Sequence, residues 1–109
     1  MEIRIFRTAN NKCLFQDWVD DLPSSIRLKI YQRFSRIEEG NFGDFKNLKG
    51  ELYELRFHFN SGLRVYYTKQ NNKIIILLCG GDKKTQKKDI IMARKFLEQI
   101  KEGYGIYGL

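Results

Sequence analysis

Two alternating segments joined by a turn, followed by an uninterrupted apolar run, constrain the fold of this chain most. Residues 51–59 and 63–69 alternate between apolar and polar side chains, and Asn60-Ser61-Gly62 between them is typical of a hairpin turn. A third strand is predicted over 73–79, where residues 74–79 are all apolar, as in a central strand that is buried on both faces. This pattern predicts a three-stranded antiparallel meander.

Other segments place a strand and helices around this meander. Alternation predicts a first strand over 2–7. Helical spacing of apolar residues predicts one helix over 11–20, a second from Ser24 or Ser25 to Glu39, and a last one from Thr85 to Ile100. The order β-α-α-β-β-β-α predicts an α+β domain. We expect a mostly antiparallel sheet of about four strands, with its first strand beside the last and the two N-terminal helices and the C-terminal helix packed on one side.

The composition limits the partners and the metal sites that we expect for this protein. Twenty Lys and Arg residues against 13 Asp and Glu give a net charge of +7, which favours a nucleic acid, an acidic protein or an anionic membrane as partner, or serves solubility alone. One histidine and two cysteines without a CxxC motif argue against a zinc site. No apolar run is long enough for a signal peptide or a membrane span. We expect a cytoplasmic protein without metal, cofactor or membrane partner, in which Cys79 is a buried thiol.

The sequence also predicts the number of domains and the character of the C-terminal segment. No internal repeat or linker divides the sequence, so residues 1–109 are predicted to form a single domain. Residues 103–109 are rich in glycine, and we expect them to be a flexible tail.

The polar face of the predicted hairpin is the candidate site. Alternation places one set of polar side chains on one sheet face: Glu54, Arg56, His58, Arg64, Tyr66 and Thr68. Lys83 and Lys84 follow the adjacent strand. Guanidinium groups match phosphate oxygens, and tyrosine rings stack on unpaired bases, so this face is interpreted as a phosphate-handling surface. Ordinary alternating charges on a solvent-exposed sheet face are the other interpretation.

Several short motifs carry a family resemblance. GNFGD at 40–44, LKGELYELR at 48–56, GLRVYY at 62–67 and LCGGDKKTQ at 78–86, followed by Asp89-Ile90, resemble the addiction module killer branch of the RelE/ParE-type toxins, whose superfamily includes HigB. The resemblance implies a RelE-like fold and an antitoxin, usually encoded by the adjacent gene and often with a helix-turn-helix domain. For RelE and HigB members it implies metal-independent cleavage of mRNA in the ribosomal A site, with the RNA 2′-OH as nucleophile. For ParE members it implies inhibition of DNA gyrase without nuclease activity.

The resemblance also assigns roles to individual residues. It places a catalytic arginine at Arg64, directly after the hairpin glycine, and a basic position of the preceding strand at Arg56. The other basic position of that strand falls at Glu54, and the basic groups after the last strand correspond to Lys83 and Lys84. A tyrosine that RelE uses has no match around Asp89.

A catalytic hypothesis follows from these assignments. Arg64, Arg56 and Lys83 bind the charge that develops on the phosphate. Glu54 or His58 takes the 2′ proton, and His58, a lysine or water protonates the leaving oxygen. RNA contacts are expected from Lys84, Tyr66, Lys87 and Lys49. A non-toxic nucleic-acid-binding module is a third hypothesis beside the two toxin activities.

Overall fold

The computed structural model describes residues 1–60 and 62–103, together with the backbone of 106–108. Its elements in chain order are β1 (Glu2–Arg7), α1 (Leu14–Asp20), α2 (Ser24–Glu38), β2 (Phe45–Asn47), β3 (Tyr53–Arg56), β4 (Arg64–Gln70), β5 (Ile74–Gly81), α3 (Gln86–Lys101) and β6 (Ile106–Gly108). The strands of this described part form one sheet in the order β2-β3-β4-β5-β1-β6. The predicted α+β class is confirmed.

The register of the sheet follows the predicted meander. β3, β4 and β5 pair antiparallel. β1 runs parallel to β5, so the first strand lies beside the last strand of the meander, as predicted. Across β3 and β4, Arg56 faces Arg64 and Glu54 faces Tyr66. Because residues that pair directly across a ladder point to the same side, these four side chains share one face, as the alternation predicts.

Helices cover both faces of the sheet, so the prediction that all three pack on one side is wrong. Phe15 of α1 and Phe34 of α2 belong to the core on one face, and Ala93 and Leu97 of α3 belong to the core on the other. The second face carries its own buried apolar side chains: Phe6, Tyr66, Ile76 and Leu78. Because both faces are apolar, each requires a helical layer, and α3 covers part of the face that was expected to be polar.

Two short strands extend the sheet beyond the predicted four. β2 lies in the connector after α2, where no strand was predicted, and it pairs antiparallel with β3. β6 pairs antiparallel with β1, so part of the segment predicted as a flexible tail forms an edge strand instead. Residues 104, 105 and 109 of that segment lie outside the described residues. Strands of three residues are too short to show an alternating pattern, so the sequence carries no signal for them.

The glycine pair Gly80-Gly81 extends β5 beyond residue 79, where the predicted strand ends. A Cβ atom on Gly80 would lie 2.3 Å from Cε3 of Trp18, and one on Gly81 would lie 1.9 Å from Oδ2 of Asp89. Trp18 belongs to α1, and Asp89 belongs to α3. The two glycines are therefore required because a helix approaches the strand closely from each side.

Both cysteines are buried and free. Burial raises the pKa of Cys79 to about 12, which keeps this thiol protonated and unreactive. The prediction of a buried thiol at Cys79 is confirmed. None of the helices described here has the length and apolar character needed to cross a bilayer.

Candidate functional site

The centre of the candidate site is a buried carboxylate that holds two guanidinium groups. Glu54 is fully buried, and its Oε1 accepts a hydrogen bond of 2.6 Å from Nε of Arg64. Nε of Arg56 lies 3.6 Å from the same oxygen, and the side-chain amide of Gln86 donates to it at 3.2 Å. Two like charges are thus held side by side because one carboxylate neutralises part of their repulsion.

A second hydrogen bond fixes Arg64 at the end of the hairpin. Its Nη1 donates to the carbonyl of Gly62 at 2.7 Å. Gly62 has a φ of +69°, which favours glycine, and a Cβ there would lie 3.4 Å from that Nη1. The side chain of Arg64 keeps 14% of its surface exposed, and that of Arg56 keeps 35%. The pair is therefore partly open to solvent and able to contact an anion.

Among the predicted lysines, Lys83 lies near this pair and Lys49 lies far from it. Lys83 and Lys84 are exposed in the turn after β5, and Cβ of Lys83 lies 3.9 Å from the Cβ position of Gly62. Lys87 is exposed in the first turn of α3. Lys49 lies in the turn before β3, at the opposite end of that strand from Arg56, so the structure does not bring it to the site.

Tyr66 has no exposed surface, so the structure does not offer its ring for the predicted stacking on a base. The side chain is fully buried in the core beneath α3, with Leu78 and Phe96 in the same cluster. Burial, followed by the negative charge of Glu54, raises the pKa of Tyr66 above its usual range. The ring was expected to be exposed because alternation alone does not show that a helix covers this part of the face.

Replacing Tyr66 by phenylalanine is expected to leave the free energy of unfolding unchanged or raise it by up to about 1 kcal/mol. The buried hydroxyl finds no hydrogen-bond partner among the described residues, so its removal relieves a desolvation cost without breaking a bond. Denaturant unfolding of Tyr66→Phe and of the exposed control Tyr31→Phe measures this difference. A loss well above 1 kcal/mol confined to Tyr66→Phe would show that the hydroxyl is bonded.

His58 lies apart from the arginine pair. Its side chain is 75% exposed, and its Nε2 lies 2.5 Å from Oδ2 of Asp44 in the connector before β2. β3 ends at Arg56, so the strand alternation does not extend to position 58. Among the described contacts, none joins His58 to Glu54 or Arg64, and the expected grouping of His58 with them is not found.

The first turn of α3 contributes residues that the sequence interpretation missed. Gln86 bonds Glu54, and Asp89 lies against Gly81, which pairs with Arg64 across β4 and β5. Thr85, the predicted first residue of the last helix, precedes α3 and makes no side-chain cap bond. Its hydroxyl donates to Asp89 at 2.5 Å instead. Burial raises the pKa of Asp89 above its usual value. Gln86 lies four residues before Ile90 on the apolar stripe of α3, and that spacing is the signal that indicates its inward position.

The arrangement supplies positive charge from side chains. Within residues 1–60 and 62–103, no group of three or more His, Cys, Asp or Glu side chains is arranged to hold a metal ion. What the site offers is two adjacent guanidinium groups, the exposed Lys83 nearby, and a buried carboxylate beneath them. Such a group of cations is suited to bind a phosphate and to stabilise charge that develops on it.

Comparison with known proteins assigns the chain to a family. Residues 17–98 match the family described as "Phage derived protein Gp49-like (DUF891)". A protein of Haemophilus influenzae, named there as an uncharacterized protein, is 41% identical over 87 residues, which cover 79% of this chain and 88% of that protein. The matched residues include β2 to β5 and most of α3, and therefore the whole arginine pair with its carboxylate. The chain therefore belongs to the Gp49-like phage-derived protein family, which is part of the RelE/toxin-like (addiction module killer) group.

Proposed function

We propose that this protein is the toxin of a type II toxin–antitoxin pair and that it cleaves mRNA with its own cationic side chains. The observation that carries the proposal is the pairing of Arg64 and Arg56 over the buried carboxylate of Glu54. A buried acid at the end of a hairpin orients two partly exposed guanidinium groups, which are then able to bind the oxygens of a phosphodiester. The toxin-like character of the family supports the same conclusion.

The proposed reaction is a transfer within the RNA strand. The 2′ oxygen attacks the adjacent phosphorus, the bond from phosphorus to the 5′ oxygen breaks, and the products are a 2′,3′-cyclic phosphate and a 5′-hydroxyl. The attacking hydroxyl loses a proton, and the leaving oxygen gains one. Negative charge grows on the phosphate oxygens in the transition state, where Arg64, Arg56 and Lys83 bind it more strongly than they bind the ground state.

Glu54 acts as a positioning residue in this proposal rather than as the group that takes the 2′ proton. Its carboxylate has no exposed surface, and it lies beneath the guanidinium groups that would contact RNA. His58 lies outside this cluster as well. The reaction is therefore proposed to depend on stabilisation of phosphate charge, with proton exchange through solvent.

Replacing Glu54 by glutamine is expected to lower kcat about tenfold or more while KM changes little, because the neutral amide no longer orients Arg64 for the transition state. The shape of the pH–rate profile is expected to stay the same, since no titrating base has been removed. Initial rates of cleavage of a labelled message held in the ribosomal A site, taken over a range of ribosome–message concentrations from pH 5 to 9, measure kcat, KM and the profile. Loss of the acidic limb of the profile in Glu54→Gln would instead identify Glu54 as the proton acceptor.

The proposed partners follow from the same assignment. The family supports an antitoxin, proposed to be a helix-turn-helix protein encoded by the adjacent gene, which neutralises the toxin by covering its basic surface. The substrate is proposed to be mRNA in the ribosomal A site in the cytoplasm. A net charge of +7 fits association with either an acidic antitoxin segment or RNA.

One experiment separates the proposal from the gyrase alternative. The protein is expressed under tight control, growth is followed, and a translated message is probed by primer extension while plasmid supercoiling is assayed with purified gyrase. New 5′ ends in the message with unchanged supercoiling support the nuclease. Intact messages with blocked supercoiling would identify a gyrase inhibitor, and unharmed growth with neither effect would indicate a non-toxic nucleic-acid-binding module.

A further inference from the structure

A second cationic surface lies on the other side of the strand end that carries Arg56. A groove of about 360 Å³ runs between α2 and the residues that follow β3. Three cationic residues of α2 line one wall, and three residues after β3 line the other: Lys29, Arg33, Arg36, Phe57, His58 and Phe59. We name this surface the α2 groove.

Arg33 forms the fixed part of the α2 groove. Its guanidinium donates to the carbonyls of Phe42, Asp44 and Arg56, and it lies 4.8 Å from the ring centre of Phe57. These acceptors carry no net charge, so they satisfy the donors without neutralising the cation. A Cβ on Gly43 would lie 3.0 Å from Nε of Arg33, which shows how closely the connector wraps this side chain.

Lys29 and Arg36 give the α2 groove its exposed charge. Both are exposed, and within the described residues neither forms an ion pair. The ammonium of Lys29 lies 5.1 Å from the ring centre of the half-buried Phe59. The acidic residue that lines the groove, Asp44, is engaged by His58. Phe57 is buried, so Phe59 is the phenylalanine of the groove that a base can reach. A wall of cations that faces a partly exposed aromatic ring is suited to single-stranded nucleic acid, because phosphates bind the cations and a base stacks on the ring.

One residue links the α2 groove to the candidate active site. The carbonyl of Arg56 accepts the hydrogen bond from Arg33, and the side chain of Arg56 pairs with Glu54 beside Arg64. The backbone of Arg56 thus borders the α2 groove, while its side chain belongs to the arginine pair.

We propose that the α2 groove is a second RNA-binding site, which holds a single-stranded segment of the same message that is cleaved at Arg64. This inference rests on the proposed function for the identity of the RNA. It implies that affinity depends on the length of the RNA and that a short fragment engages only the arginine pair.

The test compares a trinucleotide with a dodecanucleotide, both labelled and 2′-O-methylated so that they have no nucleophile. Binding is measured by fluorescence anisotropy as a function of salt for the wild type and for Lys29→Ala/Arg36→Ala. The double variant is expected to bind the dodecanucleotide more weakly and to lower its salt slope by about 1.4, which corresponds to two lost phosphate contacts on a single strand. Its affinity for the trinucleotide is expected to stay at the wild-type value.

Lys12→Ala/Lys95→Ala is the matched control, because it removes the same charge from two exposed lysines outside the groove and the arginine pair. Equal dodecanucleotide binding by both double variants would overturn the proposal, and so would equal weakening of the short and long RNAs. A polyglutamate peptide serves as a further probe: selective loss of its binding, with RNA binding intact, would assign the groove to an acidic polypeptide. Primer extension with the wild type tests cleavage separately, so failure of the nuclease proposal is distinguishable from failure of the groove.

Discussion

Arg64→Ala is expected to reduce the rate of RNA cleavage about a hundredfold or more and to abolish toxicity. Arg64 donates from Nε to Glu54 and from Nη1 to the carbonyl of Gly62, so its guanidinium is oriented before any substrate binds. Alanine removes both the charge and that orientation. Growth after induction and single-turnover cleavage of a labelled message held in the ribosomal A site measure the effect.

Two further variants make this result specific. Arg64→Lys keeps the charge but not the planar fork, and it is expected to recover only part of the rate, which separates geometry from charge alone. Arg4→Ala removes a different arginine, one that pairs with Glu2 on β1, and it is expected to cleave as the wild type does. Wild-type cleavage and toxicity in a folded Arg64→Ala variant would overturn the assignment of this residue.

Gly80→Ala is expected to lower the free energy of unfolding by about 1–3 kcal/mol or more, because the new methyl group collides with the indole of Trp18. A ring held between a helix and a strand has no flexible end that can move aside. The melting temperature is expected to fall by several degrees, about 4 °C or more for each kcal/mol. Trp18 is the single tryptophan of the chain, so its fluorescence reports the displacement directly.

A double-mutant cycle isolates this contact. Trp18→Leu removes the ring that the methyl group meets, so Gly80→Ala is expected to cost much less in that background than in the wild type. The difference between the two costs is the coupling between strand and helix. An equal cost in both backgrounds would show that the strand conformation, rather than the indole, requires glycine at position 80.

The hairpin and its register were predictable because side chains alternate with a period of two. Once Asn60-Ser61-Gly62 is taken as the turn, Arg56 must face Arg64, and the structure has that pairing. The position of β1 beside β5 was predictable for a related reason, since a strand that is apolar on both faces belongs in the interior of a sheet.

The burial of Glu54 and Tyr66 was not predictable from the same alternation. A stripe along α3 shows that the helix has an apolar side, but it does not show which sheet face receives that side. A glutamate on an alternating strand looks like a solvated residue until Arg64, Arg56 and Gln86 are placed around it. Burial of a charge depends on partners distant in sequence, and spacing within one element does not encode them.

The contacts of the α2 groove were also not predictable from sequence patterns, because they depend on the path of a loop. Arg33 is one of several basic residues of α2, and its helical position alone predicts an exposed charge. Its bonds to three carbonyls depend on the path of the connector before β2 and on the end of β3. The same connector brings Asp44 to His58, a contact across 14 residues that no local pattern indicates.

The parallel pairing of β1 with β5 has a consequence for synthesis of the protein. Residues 2–5 pair with 74–77, so β1 has to wait until about 70 further residues have been synthesised before that neighbour exists. Gln86, which bonds Glu54, emerges later still. The arginine pair and its buried carboxylate therefore gain their last partner only after residue 86 has been synthesised, later than all of the strands from β1 to β5.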